Sequence, residues 1–199
     1  MASRSGPGAA EILIGRHDIS RRVHELAAQL QADLATAAGP PILVGVLKGS
    51  TLFLSDLVRA MDIDVAVDFM SISSYRSTVA QPGSVRIIKD LDSDVTGRDV
   101  VIVEDIVDTG LTLNYLRQTI LQRGPRSVRA VTLLNKSVRR IVPVPLEYVG
   151  FDAPDVFVVG YGLDFQGNYR NVPDIIAVRD VARLVENPRL LVGPLFLGD

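Results

Sequence analysis

Two adjacent carboxylates, Glu104 and Asp105, directly follow four β-branched aliphatics, Val100 to Val103, and precede a short turn, Asp108-Thr109-Gly110-Leu111-Thr112. Neighbouring carboxylates repel, and an ordinary fold gains nothing by pairing them; hydroxyl donors or a cation would relieve the repulsion. The turn leads into a helical stretch. Its exposed N–H groups and the hydroxyls of Thr109 and Thr112 would converge, at the positive end of the helix dipole, on an anion such as a phosphate. Taken alone, the same turn is equally an ordinary β–α connection with a threonine cap. Asp108 also has two readings: the N-cap of the helix, or a general acid/base.

Further candidates lie elsewhere in the chain. Lys48-Gly49 ends an aliphatic run, Ile42 to Leu47, where a glycine lets backbone approach a ligand and a lysine offers a point charge to phosphate. The plain alternative is a surface lysine in a turn. Lys136 ends the run Ser127 to Leu134. Phe157 and Val158 sit in Val156 to Val159, which by itself means core strand. Asp164 and Arg170 could be no more than a surface ion pair. Ser74-Tyr75 opens a polar excursion, residues 73–84, of a length typical of lids or disordered loops. Other signals fail. Asp90-Leu-Asp92-Ser-Asp94 begins like a calcium loop but has Val95 where glycine is required and Val101 where glutamate is required. There is no dinucleotide fingerprint, Walker loop, nucleophile elbow or zincin helix. His17 and His24, near the first helix, are read as structural.

The elements that must position these residues follow from periodicity. Val100 to Val103 reads as a strand buried on both faces, the pattern of a parallel sheet sandwiched by helices, with the acids where it leaves the core. Leu113, Leu116 and Ile120 have helical spacing. Residues 12–14 predict a short strand, and Asp18 predicts the N-cap of a helix carrying Ile19, Val23, Leu26, Leu30 and Leu34. Strands are expected at 42–47, 65–72, 85–88, 127–134, 156–159 and near 175–178, and helices at 52–61 and around 180–186. The stretch 141–155, broken by prolines, is read without an element. Strands alternating with helices predict an α/β fold with a doubly wound, mostly parallel sheet.

Length and composition agree. At 199 residues, 47% of them hydrophobic, the chain suits one α/β domain. Residues 1–11 read as a mobile leader without a secretory signal's apolar run, and 12–199 as the domain. No uninterrupted apolar stretch approaches the roughly 20 residues needed to span a bilayer. Without cysteine there is no disulfide framework or thiolate metal site. A net charge of −2 gives no basic field for nucleic acid. A cytoplasmic protein is expected.

Val100 to Leu113 resembles the phosphoribosyl pyrophosphate (PRPP) signature of the type I phosphoribosyltransferases: four hydrophobics, two acids, a variable pair, then Asp-Thr-Gly-x-Thr. The likeness spans roughly residues 12–185 and is strongest to the bacterial hypoxanthine(-guanine) members. It implies a small hood over the sheet and transfer of the 5-phosphoribosyl group to hypoxanthine or guanine, giving IMP or GMP and pyrophosphate. It places the ribose and 5′-phosphate at Glu104, Asp105 and residues 108–112, with Asp108 also as the acid/base. Pyrophosphate goes to Lys48, Gly49 and Arg170, and the Leu47–Lys48 peptide can be cis. The purine goes to Lys136, Phe157, Val158 (through its backbone) and Asp164. Mg²⁺ goes to Glu104, Asp105 and Asp164, and the lid starts at Ser74-Tyr75. A homodimer or homotetramer is implied.

An ammonium has donors only, so Lys136 facing the exocyclic group would favour a 6-oxopurine over adenine. The chain departs from the pattern at Leu111, where eukaryotic members carry lysine, in the lid sequence and in a long apolar C-terminal tail. That tail is expected to pack on the body or on a neighbouring subunit. Three rivals are weaker or narrower. A phosphate-accepting receiver domain would place its aspartate on an early strand and a lysine late. A PRPP-binding regulator would need a DNA-binding segment before Ile12. A transferase for another base, such as xanthine or a pyrimidine, is the more serious rival.

Overall fold

A computed structural model describes residues 10–37, 39–74 and 85–197. In chain order the elements are β1 (Ala10–Ile14), α1 (Arg16–Leu34), β2 (Ile42–Val46), α2 (Thr51–Arg59), β3 (Ala66–Ser74), β4 (Val85–Lys89), β5 (Asp99–Val107), α3 (Leu111–Leu121), β6 (Ser127–Asn135), β7 (Tyr148–Asp152), β8 (Phe157–Val159), β9 (Ile175–Val178) and α4 (Val181–Glu186). The main sheet has six strands in the order β4-β3-β2-β5-β6-β7, parallel except for β4, which runs antiparallel to β3. A second sheet, β1-β9-β8, is antiparallel and forms the hood.

The alternation of side chains along the central strands explains the two layers. Leu43, Val101, Val103, Val131 and Leu133 pack with Ile19, Leu26, Leu30, Phe53 and Leu57 of α1 and α2. Their neighbours Ile42, Val44, Val100, Ile102 and Ala130 face the other way, onto Leu113, Leu116 and Ile120 of α3. Both faces are thus covered, as parallel sheets require. Truncating a fully buried residue here, such as Leu116, to alanine would cost about 2–5 kcal/mol. No helix among the described residues is long and apolar enough to cross a membrane.

Several boundaries differ from the sequence reading. The first strand begins at Ala10, inside the expected leader, because Ala10 and Glu11 pair with Val178 and Ala177 of the hood. Helix α1 starts at Arg16, with Gly15 rather than Asp18 as its cap residue. The Gly15 carbonyl accepts the N–H groups of Asp18 and Ile19, and the Arg16 N–H is taken by Asp174 Oδ1, 158 residues away. A local signal could not show that partner. Strand β7 lies inside the proline-broken stretch. It is the sheet edge, and Arg22 of α1 covers it by donating to the carbonyls of Val149 and Gly150. The apolar tail packs on the hood: Leu191 is fully buried, and Leu190, Val192 and Leu195 lie against the same cluster.

Candidate active site

The strand order reverses between β2 and β5, and in open α/β sheets ligands bind in the crevice at that point, beyond the carboxyl ends of the strands. There the chain leaves β2 through Leu47-Lys48-Gly49-Ser50 and β5 through Asp108-Thr109-Gly110. The Leu47–Lys48 peptide is cis. The Ser50 hydroxyl donates to the Val46 carbonyl and the Thr51 hydroxyl to the Lys48 carbonyl, which fixes the first turn.

Strand β5 continues through Val107, with Glu104, Ile106 and Val107 paired to Thr132, Leu134 and Asn135 of β6. Glu104 and Asp105 therefore lie inside the strand and not just beyond it, because its last residues find ladder partners past the apolar run. Glu104 is buried, and burial followed by the charge of Asp105 pushes its carboxyl well above the usual range. Burial likewise raises the Asp105 carboxyl to about 6, against the lowering effect of the Ile106 N–H, which donates to Oδ1 over 2.9 Å.

A cavity of about 230 Å³ is lined by residues 104–110, Thr112 and Leu113, so the acidic pair and the turn share one space. Gly110 has φ of +82°, a left-handed conformation suited to glycine, and a Cβ there would meet the Val142 carbonyl oxygen at 2.5 Å. It is the residue before α3, with no side-chain cap. The N-cap reading of Asp108 fails accordingly. Asp108 Oδ1 is buried without a hydrogen-bond partner, and Thr109 Oγ1 only approaches the Leu111 N–H at 3.4 Å. Leu111 opens α3 and is partly exposed.

Of the pyrophosphate candidates, Gly49 and Arg170 are linked through Gly162. A Cβ on Gly49 would lie 2.5 Å from the Asp105 carboxyl carbon. Gly162, at φ +98°, stacks on Gly49 in turn, its would-be Cβ 3.3 Å from the Gly49 carbonyl carbon. Arg170 donates to the Gly162 carbonyl and pairs with Asp164 Oδ1 at 2.7 Å. Asp164 Oδ2 accepts the Gly167 N–H at 2.7 Å. Asp105, Gly49, Gly162, Arg170 and Asp164 thus form one continuous arrangement. The sequence reading assigns Gly162 no role, although Gly160-Tyr161-Gly162 is a visible glycine pair after the β8 run.

Lys136 is buried and donates to the Val156 carbonyl; burial lowers its basicity, partly offset by Asp108. Phe157 is half-buried and meets Phe165 edge-on, with ring centroids 5.8 Å apart, while Val158 is buried and pairs with Ala177. Ser74 ends β3, and Tyr75 lies outside the described residues.

The carboxylates expected at the metal divide between strand β5 and the loop that carries Arg170. Among the described residues, no group of three or more His, Asp or Glu side chains is arranged to hold a metal. Asp164 is committed to Arg170 and the Gly167 N–H, whereas Glu104 and Asp105 belong to β5. The acidic pair alone still suits Mg²⁺, which takes one or two carboxylates and fills its remaining positions with substrate oxygens and water.

This arrangement, an acidic strand end and a glycine turn around one cavity at the switch point, with a second small sheet, defines a phosphoribosyltransferase-like class. Residues 12–166 match the phosphoribosyl transferase domain, and the chain belongs to that family. It is 44% identical over 165 residues to the hypoxanthine-guanine phosphoribosyltransferase of Bacillus subtilis, covering 83% of this chain and 91% of that one. The same identity and length relate it to the hypoxanthine phosphoribosyltransferase of Escherichia coli, covering 83% and 93%. Among solved structures, the hypoxanthine phosphoribosyltransferase of Trypanosoma cruzi superposes with a TM-score of 0.85 at 36% identity, covering 92% of this chain and 98% of that one.

Proposed function

We propose that the protein transfers the 5-phosphoribosyl group from PRPP to hypoxanthine or guanine, forming IMP or GMP and pyrophosphate in purine salvage. The observation that carries this reading is the shared cavity, which the acidic pair, Asp108 and the turn line together. The turn from Asp108 to Thr112 holds the 5′-phosphate, with Thr109 and Thr112 adding hydroxyl donors. Glu104 and Asp105 accept from the ribose hydroxyls. Lys48, the Gly49 backbone and Arg170 hold pyrophosphate. Mg²⁺, when bound through Glu104 or Asp105 together with substrate oxygens, supplies positive charge against the developing charge on pyrophosphate.

The C1–oxygen bond to pyrophosphate breaks with its electron pair leaving on pyrophosphate, through a cation-like sugar. A purine ring nitrogen bonds to C1, and Asp108 takes the proton that nitrogen carried. Lys136 donates to the 6-oxo group, Phe157 stacks on the base and the Val158 backbone meets its edge. The lid that follows Ser74 excludes water. The decisive assay supplies PRPP, Mg²⁺ and one base at a time and follows nucleotide formation. Product with hypoxanthine or guanine, and none with adenine or after chelation, is expected. Product with xanthine or a pyrimidine alone would overturn the choice of base.

A further inference from the structure

Asp108 is not held by its own strand or helix, yet it must present one oxygen to the purine. The residue that faces it is Arg139, from the single 3-10 turn Ser137–Arg139 that follows β6. Arg139 Nη1 lies 3.6 Å from Asp108 Oδ2, and its Nε is bonded at 2.5 Å to Asp155 Oδ1 in the β7–β8 connection. Three segments distant in sequence thus bring together a carboxylate, a guanidinium and a second carboxylate beside Lys136. The division of contacts is informative. Oδ2 faces the guanidinium, and Oδ1 is the oxygen left buried without a partner. One edge of the carboxylate faces the guanidinium and the other is enclosed, so the side chain is held in one orientation.

From this geometry we infer that Arg139, oriented by Asp155, is a positioning residue for Asp108: it fixes the carboxylate in the one orientation that the proton transfer requires. The inference rests on the proposed role of Asp108 as proton acceptor. A structural explanation of the contacts is weak, because Arg139 is 52% exposed and Asp155 49% exposed. Exposed ion pairs contribute little to stability. The groups around the Asp108 carboxylate are Arg139, Lys136 and, behind Arg139, Asp155. Of these, only Arg139 bridges Asp108 to a second anchored side chain.

The test is steady-state kinetics on purified full-length variants with PRPP, Mg²⁺ and hypoxanthine. Arg139→Ala should lower kcat by roughly tenfold, a fraction of what general-base catalysis supplies, with the PRPP KM and the Tm essentially unchanged. Arg139→Lys, which keeps the charge but not the fork, should recover part of the loss. Asp155→Asn should lower kcat in the same direction by less. In an Asp108→Asn background, Arg139→Ala should have no further effect, since coupled residues are non-additive. An Arg139→Ala enzyme with unchanged kcat, or with a PRPP KM rising in step with the fall in kcat, overturns the inference alone. Unchanged turnover by Asp108→Asn overturns the proton-acceptor reading and the inference with it.

Discussion

Gly49 and Asp105 are packed so closely that the glycine's missing side chain is what makes room for the carboxylate: a Cβ there would lie 2.5 Å from the carboxyl carbon, nearer still to Oδ2. The contact joins the turn after β2 to the acidic end of β5, and Gly162 rests on the same glycine from the hood. The two loops and the hood are therefore set by one backbone position. Gly49→Ala should fold, because the clash is confined to the ends of the strands, but it must displace either Asp105 or residues 48–50. Misplacement of about 1 Å at a reacting centre can cost around a hundredfold, so kcat/KM for PRPP should fall by about that much. Steady-state kinetics with PRPP varied will show it; a loss below threefold would mean the loop moves without consequence.

Lys136 makes a second, independent prediction. Its ammonium is a donor only, and it is already desolvated and bonded to the Val156 carbonyl. A 6-amino group would meet it donor to donor, and sites built for one hydrogen-bond pattern reject the other by about 10⁴-fold. Lys136→Gln offers both an acceptor and a donor. It should reduce kcat/KM for hypoxanthine by about 10–100-fold, as expected for a charge-assisted bond, while raising turnover of adenine relative to hypoxanthine. Competition between the two bases, resolved by chromatography of the nucleotides, measures the ratio. An unchanged ratio would place the base elsewhere.

The sequence made some of these features visible and hid others for physical reasons. Val100 to Thr112 is contiguous, so its strand, turn and helix could be read from local pattern, and the cavity at 104–112 confirms their proximity. Asp108 could not be decided locally, because a cap and a proton acceptor have the same residue type; the fold makes Gly110 the cap residue and so removes the first reading. The hood needs Ala10 to find Val178 and Phe157 to find the same residue, pairings that no periodicity encodes. Strand β7 was hidden by Pro143, Pro145 and Pro154, since an edge strand tolerates such flanks. Glu104 and Asp105 share one strand, whereas Asp164 comes from a distant loop where it pairs with Arg170, a neighbourhood only the fold displays.

Asp174 governs a pH-dependent part of the stability. It joins β9 of the hood to the start of α1 by accepting from Arg16, at 2.8 Å from the backbone N–H and 2.7 Å from Nη2. The Arg16 side-chain bond, ahead of the opposing effect of burial, holds the Asp174 carboxyl below the usual range. A carboxyl depressed on folding contributes stability that is present above its unfolded pKa, about 3.9, and is lost as pH falls through the lower folded value. Asp174→Asn should therefore lower Tm at neutral pH by about 3 °C, and the gap from the parent should close as the pH drops below the carboxylate range. Calorimetry across acid pH will reveal it. A gap that stays constant would mean the contact is not ionic.

Tyr169 ties the C-terminal tail to the loop that carries Arg170. It is buried at φ +73°, and its hydroxyl donates to the Pro188 carbonyl at 2.6 Å and accepts the Leu191 N–H at 3.3 Å. Tyr169→Phe keeps the ring but leaves a buried N–H and a carbonyl unpaired, a loss of about 1–3 kcal/mol. In a chain of this size that corresponds to a fall in Tm of roughly 3–8 °C. The tail should loosen before the sheet, because residues 187–197 contact mainly the hood cluster around Leu191. Limited proteolysis should then cut the variant near its C-terminus while the parent resists. Because Arg170 is the next residue, the PRPP KM should rise several-fold with the hypoxanthine KM unaffected. Equal protection of tail in parent and variant, together with equal PRPP KM values, would show that the hydroxyl anchors nothing the site depends on.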